Sequence, residues 1–140
     1  MSTIVLGYDG SPSANAALDH VLALAPRLGA SVHVVFAYYL SPLGGGDMRD
    51  YHDALVKLGE HELTRAQADL EAAGVRVETH LRSGRPADAI IDVADEVDAE
   101  VVVVGTRGEG PISGAVLGSV VLKLIQRCRR PMLVVPAEDG

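Results

Sequence analysis

The chain has 140 residues, 48% hydrophobic and 22% charged, which suits one globular domain and excludes a disordered or fibrous chain. Twelve basic against nineteen acidic residues leave a net charge of -7, which disfavours broad electrostatic binding to DNA, RNA or anionic lipid. The longest aliphatic–aromatic run, Val34 to Leu40, falls far short of the roughly 20 residues that span a bilayer, and the single cysteine, Cys128, permits no internal disulfide. With no basic leader after Met1, the expected location is the cytoplasm, with neither nucleic acid nor membrane as partner.

Strand and helix signals alternate along the chain. Ile4-Val5-Leu6 predicts a first strand that stops at Gly7-Tyr8-Asp9-Gly10. Ser11-Pro12 opens a helix with serine as N-cap and proline at the first helical position. Ala14, Ala17, Leu18, Val21, Leu22, Ala25 and Leu28 share its inner face, and Gly29 ends it. Ser31 to Tyr39 reads as a second strand, and Ser41 to Gly46 as a loop that is a candidate lid. A long helix is expected from about Asp47 to Ala73, closed by Gly74, and a third strand over Val75–Leu81. Ser83-Gly84-Arg85-Pro86 turns into a third helix with Ala87, Ile90, Ile91, Ala94 and Val97 inward. Glu100–Val104 is a fourth strand that breaks at Gly105. A glycine-rich stretch leads to a fourth helix with Val116, Leu117, Val120, Val121, Leu124, Ile125 and Cys128 as its apolar stripe. Arg127, Arg129 and Arg130 complement the negative end of that helix, and Pro131–Val135 is a fifth strand.

Strands apolar on both faces, joined by helices, imply a doubly wound five-stranded parallel sheet, a Rossmann-like three-layer α/β sandwich in one domain over residues 1–140. Such sheets bind ligands beyond the carboxyl ends of the strands, where the winding reverses. Glycines gather at two such ends: Gly7 and Gly10 beside Asp9, and Gly105, Gly108, Gly110, Gly114 and Gly118. The second group runs into a helix whose free amides suit an anion; it is either a phosphate-binding segment or an adaptable loop. The P-loop is absent, and Gly108-Glu109-Gly110 fails as a dinucleotide fingerprint because Ser113 stands where the third glycine belongs.

The spacing that is present is Gly105-x2-Gly108-x9-Gly118-Ser119, framed by Val101–Gly108 before it and Arg130–Val135 after it. With the opening Ile4–Ser11 and the central Gly84–Ile90, the chain resembles the universal stress protein family, in its ATP-binding branch, over essentially its full length. The resemblance implies the adenine-nucleotide α-hydrolase-like form of the sandwich, with ATP held across the ends of strands one and four. Asp9 then faces the adenosine half, Ala37 lies against adenine, and Val104, Gly105 and Gly108 let the chain approach ribose and phosphates. Gly118, Ser119 and Val120 give amides and a hydroxyl to the outer phosphates. Arg107 either reaches a phosphate or points to solvent, Asp9 either contacts the ligand or caps the Gly10 turn, and Ser119 is either a phosphate donor or a small helix-surface residue. A one-residue shift in strand two puts Phe36 or Tyr38 in the place of Ala37.

The implied function is a nucleotide-dependent stress-response sensor or regulator, at most a slow ATP hydrolase, because no catalytic base is recognisable. The family commonly forms homodimers through the last strand, here Met132–Val135, itself a flat apolar edge candidate. The alternatives are a nucleotide-independent dimeric scaffold whose glycines are structural, and an enzyme of the broader adenine-nucleotide α-hydrolase-like group acting on another substrate. Magnesium or manganese is expected to travel with the triphosphate, on ligands that are not recognisable. The five histidines are dispersed and show no metal-ligand spacing; His61-Glu62 opens a zinc-protease pattern that fails at Arg65. Cys128 reads as a half-buried, inert thiol, and Asp92, Asp95, Glu96, Asp98 and Glu100 as a solvated acidic edge.

Overall fold

The computed structural model describes residues 2–40, 48–107 and 117–137. The Ser41–Gly46 loop and Gly108, Gly110, Ser113, Gly114 and Val116 lie outside the described residues. The elements run β1 (Thr3–Gly7), α1 (Pro12–Leu28), β2 (Ser31–Tyr38), α2 (Met48–Ala72), β3 (Val77–Ser83), α3 (Pro86–Val97), β4 (Val101–Gly105), α4 (Ser119–Arg127) and β5 (Met132–Val135).

The sheet order is β3-β2-β1-β4-β5, and every pairing is parallel. The winding therefore reverses between β1 and β4. Alternation along the strands serves two cores. Ile4, Leu6, Val32, Val34, Phe36 and Val103 pack with Ala17 and Val21 of α1 and with Leu63, Ala66 and Leu70 of α2. Val5, Val35, Val102 and Val104 pack with Ile90 and Val93 of α3 and with Val121 and Leu124 of α4. Each fully buried aliphatic side chain adds about 1.5–3 kcal/mol relative to exposure, so the central strands β1 and β4 anchor both layers. β5 closes one edge, and all four of its residues are only half-buried. Among the described residues no helix is long and apolar enough to cross a membrane.

Local chemistry sets the helix ends. The Ser11 side chain accepts the Ala14 N–H at 3.2 Å, and Pro12 stands at the first helical position. α1 stops at Gly29 (φ 61°), where the Ala30 N–H reaches the Ala25 carbonyl at 3.0 Å. α2 stops in the same way, with the Val75 N–H on the Leu70 carbonyl at 3.0 Å and the Gly74 N–H on the Glu71 carbonyl at 3.0 Å. This moves the third strand from the expected Val75–Leu81 to Val77–Ser83. Val75 is apolar because it folds back onto Leu70 as the hydrophobic contact of the cap, not because it is in the sheet.

Three further expectations change. Ile125 is 56% exposed and does not belong to the inner stripe of α4, where only Val121 and Leu124 are fully buried. Arg130 lies beyond the end of α4 and pairs with Asp95 at 3.3 Å and Asp98 at 3.0 Å. The acidic edge is thus partly organised, because Glu96 also pairs with Arg82 at 2.8 Å.

Candidate functional site

A cleft open to solvent at its mouth sits at the reversal point above the carboxyl ends of β1 and β4, the place where such sheets bind ligands. Its floor is Gly7 and Tyr8 after β1, with Val104 and Gly105 at the end of β4. Val35 and Ala37 of β2 with Pro86 and Ile90 of α3 make one apolar wall; Gly118, Val120 and Val121 at the start of α4 make the other. Asp9 and Arg107 are the ionisable side chains other than Tyr8 that line it among the described residues.

Close packing of α1 on β4 shapes the floor. A Cβ added to Gly105 would lie 2.5 Å from the backbone carbon of Ser13, so only glycine lets α1 start there. Ser13 is buried, and its Oγ accepts the Arg107 N–H at 3.2 Å and lies 3.3 Å from Thr106 Oγ1. The Thr106 carbonyl takes the Gly118 N–H at 2.8 Å, which ties the start of α4 to the end of β4. Gly118 is the N-cap of α4; among the described residues no side chain caps that end, and its first turn carries no acid. The leading amides therefore keep their hydrogen-bonding capacity and the positive end of the helix dipole beside the cleft.

The other rim is fixed by Asp9. Its Oδ1 accepts the Ser11 N–H at 3.0 Å across Gly10, whose φ of 80° favours glycine. Its Oδ2 accepts no hydrogen bond from the described residues. The neighbouring Tyr8 is 3% exposed; its hydroxyl donates to Asn15 Oδ1 at 2.6 Å and accepts from Arg65 Nη2 at 3.1 Å. Burial holds the phenol above its ordinary pKa, partly countered by the Arg65 charge and reinforced by that of Glu62. Glu62 and Arg65, which in sequence belong only to a failed zinc pattern, brace the β1–α1 turn from α2.

Of the residues singled out from sequence, the fold brings Asp9, Ala37, Val104, Gly105, Arg107, Gly118 and Val120 to the cleft. Ser119 is exposed at the first position of α4 and is not part of the lining, and Gly108 lies outside the described residues. Tyr8, Val35, Pro86, Ile90 and Val121 were not singled out as site residues. Pro86 opens α3, whose N-cap, Arg85, likewise makes no side-chain cap.

The model of the universal stress protein family matches residues 1–136. The chain belongs to the universal stress protein family. A universal stress protein of Thermus aquaticus is 37% identical over 134 residues, covering 95% of this chain and 97% of that one. A crystal structure of a family member from Burkholderia pseudomallei superposes with a TM-score of 0.81 at 29% identity, covering 97% of this chain and 96% of that one. A universal stress protein solved in complex with cAMP superposes with a TM-score of 0.76 at 30% identity, covering 98% of both chains. The Rossmann-like three-layer arrangement expected from the sequence is the one these family structures share.

Proposed function

We propose that the cleft binds an adenine nucleotide, ATP foremost, and that the chain acts as a nucleotide-dependent regulator of the stress response in the cytoplasm. The observation that carries this reading is the side-chain-uncapped start of α4 at Gly118, facing an apolar slot with Asp9 across it. The parts fit the ligand's chemistry. The apolar wall of Val35, Ala37, Pro86 and Ile90 suits a purine face. The second oxygen of Asp9 accepts hydroxyl groups of a ribose. The amides of Ser119 and Val120, with the Ser119 hydroxyl, are proposed to take phosphate oxygens, which lets a chain of net charge -7 hold a polyanion without a basic surface. Gly105 has a packing reason of its own. Arg107 lines the cleft, where its charge would favour phosphate, and a magnesium or manganese ion would accompany the triphosphate. The role proposed is binding with slow turnover at most.

The cAMP complex of a 30% identical family member supports a second reading, in which a cyclic monophosphate is the ligand. The two differ at the phosphate end. Calorimetry with ATP, ADP, AMP and cAMP, with and without magnesium, separates them. Affinity that falls as phosphates are removed supports ATP on the α4 amides; cAMP binding more tightly than ATP supports the second reading. No binding of any of the four by a folded chain overturns both and leaves the glycines structural.

The regulator is proposed to work as a homodimer through β5. That strand is at the sheet edge, and its four residues, Met132–Val135, are half-buried with no strand beyond them among the described residues. Leu122 and Ile125 of α4 add exposed apolar surface, at 48% and 56% exposure. A monomeric mass at micromolar concentration refutes the dimer.

A further inference from the structure

Parallel pairing brings together histidines that the sequence keeps far apart. In the β2–β3 register His33 stands opposite Glu78 and Val35 opposite His80, so His33, Glu78 and His80 share one face of the sheet. His33 Nδ1 and His80 Nε2 are 2.9 Å apart. A Glu78 carboxylate oxygen lies 3.4 Å from the same His33 nitrogen. All three ligand atoms fall within 4.8 Å of one another. The His33 side chain is 12% exposed and that of Glu78 71%, so the group is covered on one side and open to water on the other. β3 is the edge strand, which leaves a path for an ion.

We propose that His33, His80 and Glu78 form a binding site for a divalent transition metal of the zinc class, clipping the edge strand β3 to β2. Two neutral imidazole nitrogens facing each other can share only one proton, so a cation accepting both lone pairs replaces a single hydrogen bond by two ligand bonds. A tetrahedral zinc with nitrogen ligands at about 2.0–2.1 Å holds its ligand atoms roughly 3.3 Å apart. The contacts of 2.9 and 3.4 Å bracket that spacing. An imidazole pair with one carboxylate favours zinc, cobalt, nickel or copper over magnesium or calcium, which prefer oxygen alone. Water completes the coordination on the open side.

One neighbour opposes binding: Arg82 Nη2 lies 3.5 Å from His80 Nδ1, where a metal-bound histidine prefers an acceptor for its other N–H. Glu96 already holds the Arg82 guanidinium at 3.0 and 2.8 Å and offers it a place to move. On β2 the site lies two residues before Val35, which lines the cleft, so the two sites share a strand face but no lining side chain.

The untagged full chain is titrated with zinc alone by calorimetry, and with cobalt while visible absorption is read. One ion per chain, with the intense cobalt bands of a tetrahedral site and a raised thermal midpoint, is expected. Glu78→Gln changes an exposed side chain and keeps the fold; it is expected to weaken zinc by more than about tenfold, the scale at which even outer partners of a metal act. His80→Gln is expected to weaken it further, and Arg82→Gln to tighten it severalfold. His61→Gln, exposed on α2, is expected to bind as the parent does. No uptake by the parent at millimolar zinc overturns the proposal, and so does parental affinity in Glu78→Gln, whether or not the His80 variant folds.

Discussion

Gly105 tests whether this fold is limited by ligand approach or by helix packing. In Gly105→Ala the new methyl would sit 2.5 Å from the Ser13 backbone carbon, and the obstacle is main chain, not a movable side-chain tip. Forcing α1 away from β4 costs about 1–3 kcal/mol. The displacement also loosens Ser13 Oγ from the Arg107 N–H, now 3.2 Å away, a bond contributing about 1 kcal/mol. Loss of backbone freedom in the unfolded chain returns about 0.4–1 kcal/mol. The net loss is about 2 kcal/mol, which shifts a urea midpoint by about 1 M at a slope of about 2 kcal/mol/M. Gly7→Ala is the internal comparison. Its methyl would meet the Ile90 Cδ1 tip at 2.6 Å and Val104 Cγ1 at 3.1 Å, both side-chain atoms, so its cost is expected to be smaller. Urea unfolding of the nucleotide-free chain, followed by circular dichroism, reads both. A Gly105→Ala chain within about 0.5 kcal/mol of the parent, or more stable than Gly7→Ala, refutes the packing argument.

Ser119→Ala removes an exposed hydroxyl at the first position of α4 and is expected to weaken ATP about tenfold while leaving stability nearly unchanged; calorimetry and thermal melting read the two separately. Tyr8→Phe removes a buried hydroxyl bonded to Asn15 and Arg65 and is expected to cost about 1 kcal/mol at pH 7. The folded phenol has its pKa raised above 10.0, so its contribution is whole below pH 10 and is lost as pH rises through the folded value. The parent's alkaline decline in stability should therefore be steeper than that of Tyr8→Phe in urea melts from pH 9 upward. Asp98 ends α3 in the left-handed region at φ 53°, so Asp98→Ala is expected to be about 1–2 kcal/mol less stable than Asp98→Gly; both lose the Arg130 pair, which isolates the backbone term.

The elements whose signals are contiguous were legible in the sequence. Ser11-Pro12 and Gly29 bound α1 as expected because each end is decided by residues next to one another. β3 was misplaced by two residues because Val75 carries the same apolar signal for a cap contact as for a strand. Ile125 looked inward because the stripe of α4 is wider than the face that its neighbours cover. The site follows the same division. Asp9, Gly105 and Gly118 announce themselves as turn and glycine residues at strand and helix ends. Val35, Pro86 and Ile90 reach the cleft from β2 and α3 but look like ordinary core or turn residues along the chain. His33 and His80 look dispersed along the chain because parallel partners leave no local spacing rule; only the register reveals them.

The cleft is held from behind by groups outside its lining, and this bears on how it can bind. Asp9 is pinned through the Ser11 N–H, and Asn15 takes the Gly10 carbonyl through Nδ2 at 3.3 Å. Asn15 Oδ1 in turn receives Arg65 at 2.8 Å, and the same guanidinium reaches Tyr8. Arg65 of α2 thus braces Tyr8 and Asn15, on either side of the turn that carries Asp9. On the opposite rim Thr106 bonds to Val135 through its N–H at 3.1 Å and to Gly118 through its carbonyl, joining β4, the end of β5 and the start of α4. Ordering a wall at the moment of binding costs affinity, so walls already fixed leave the ligand's interaction energy available for discrimination. The β5 edge offered for dimerisation ends at Val135, one hydrogen bond from Thr106 and two from the N-cap of α4. Thr106 is thus bonded both to the start of α4, where the nucleotide is proposed to bind, and to the end of β5, the edge proposed for the dimer.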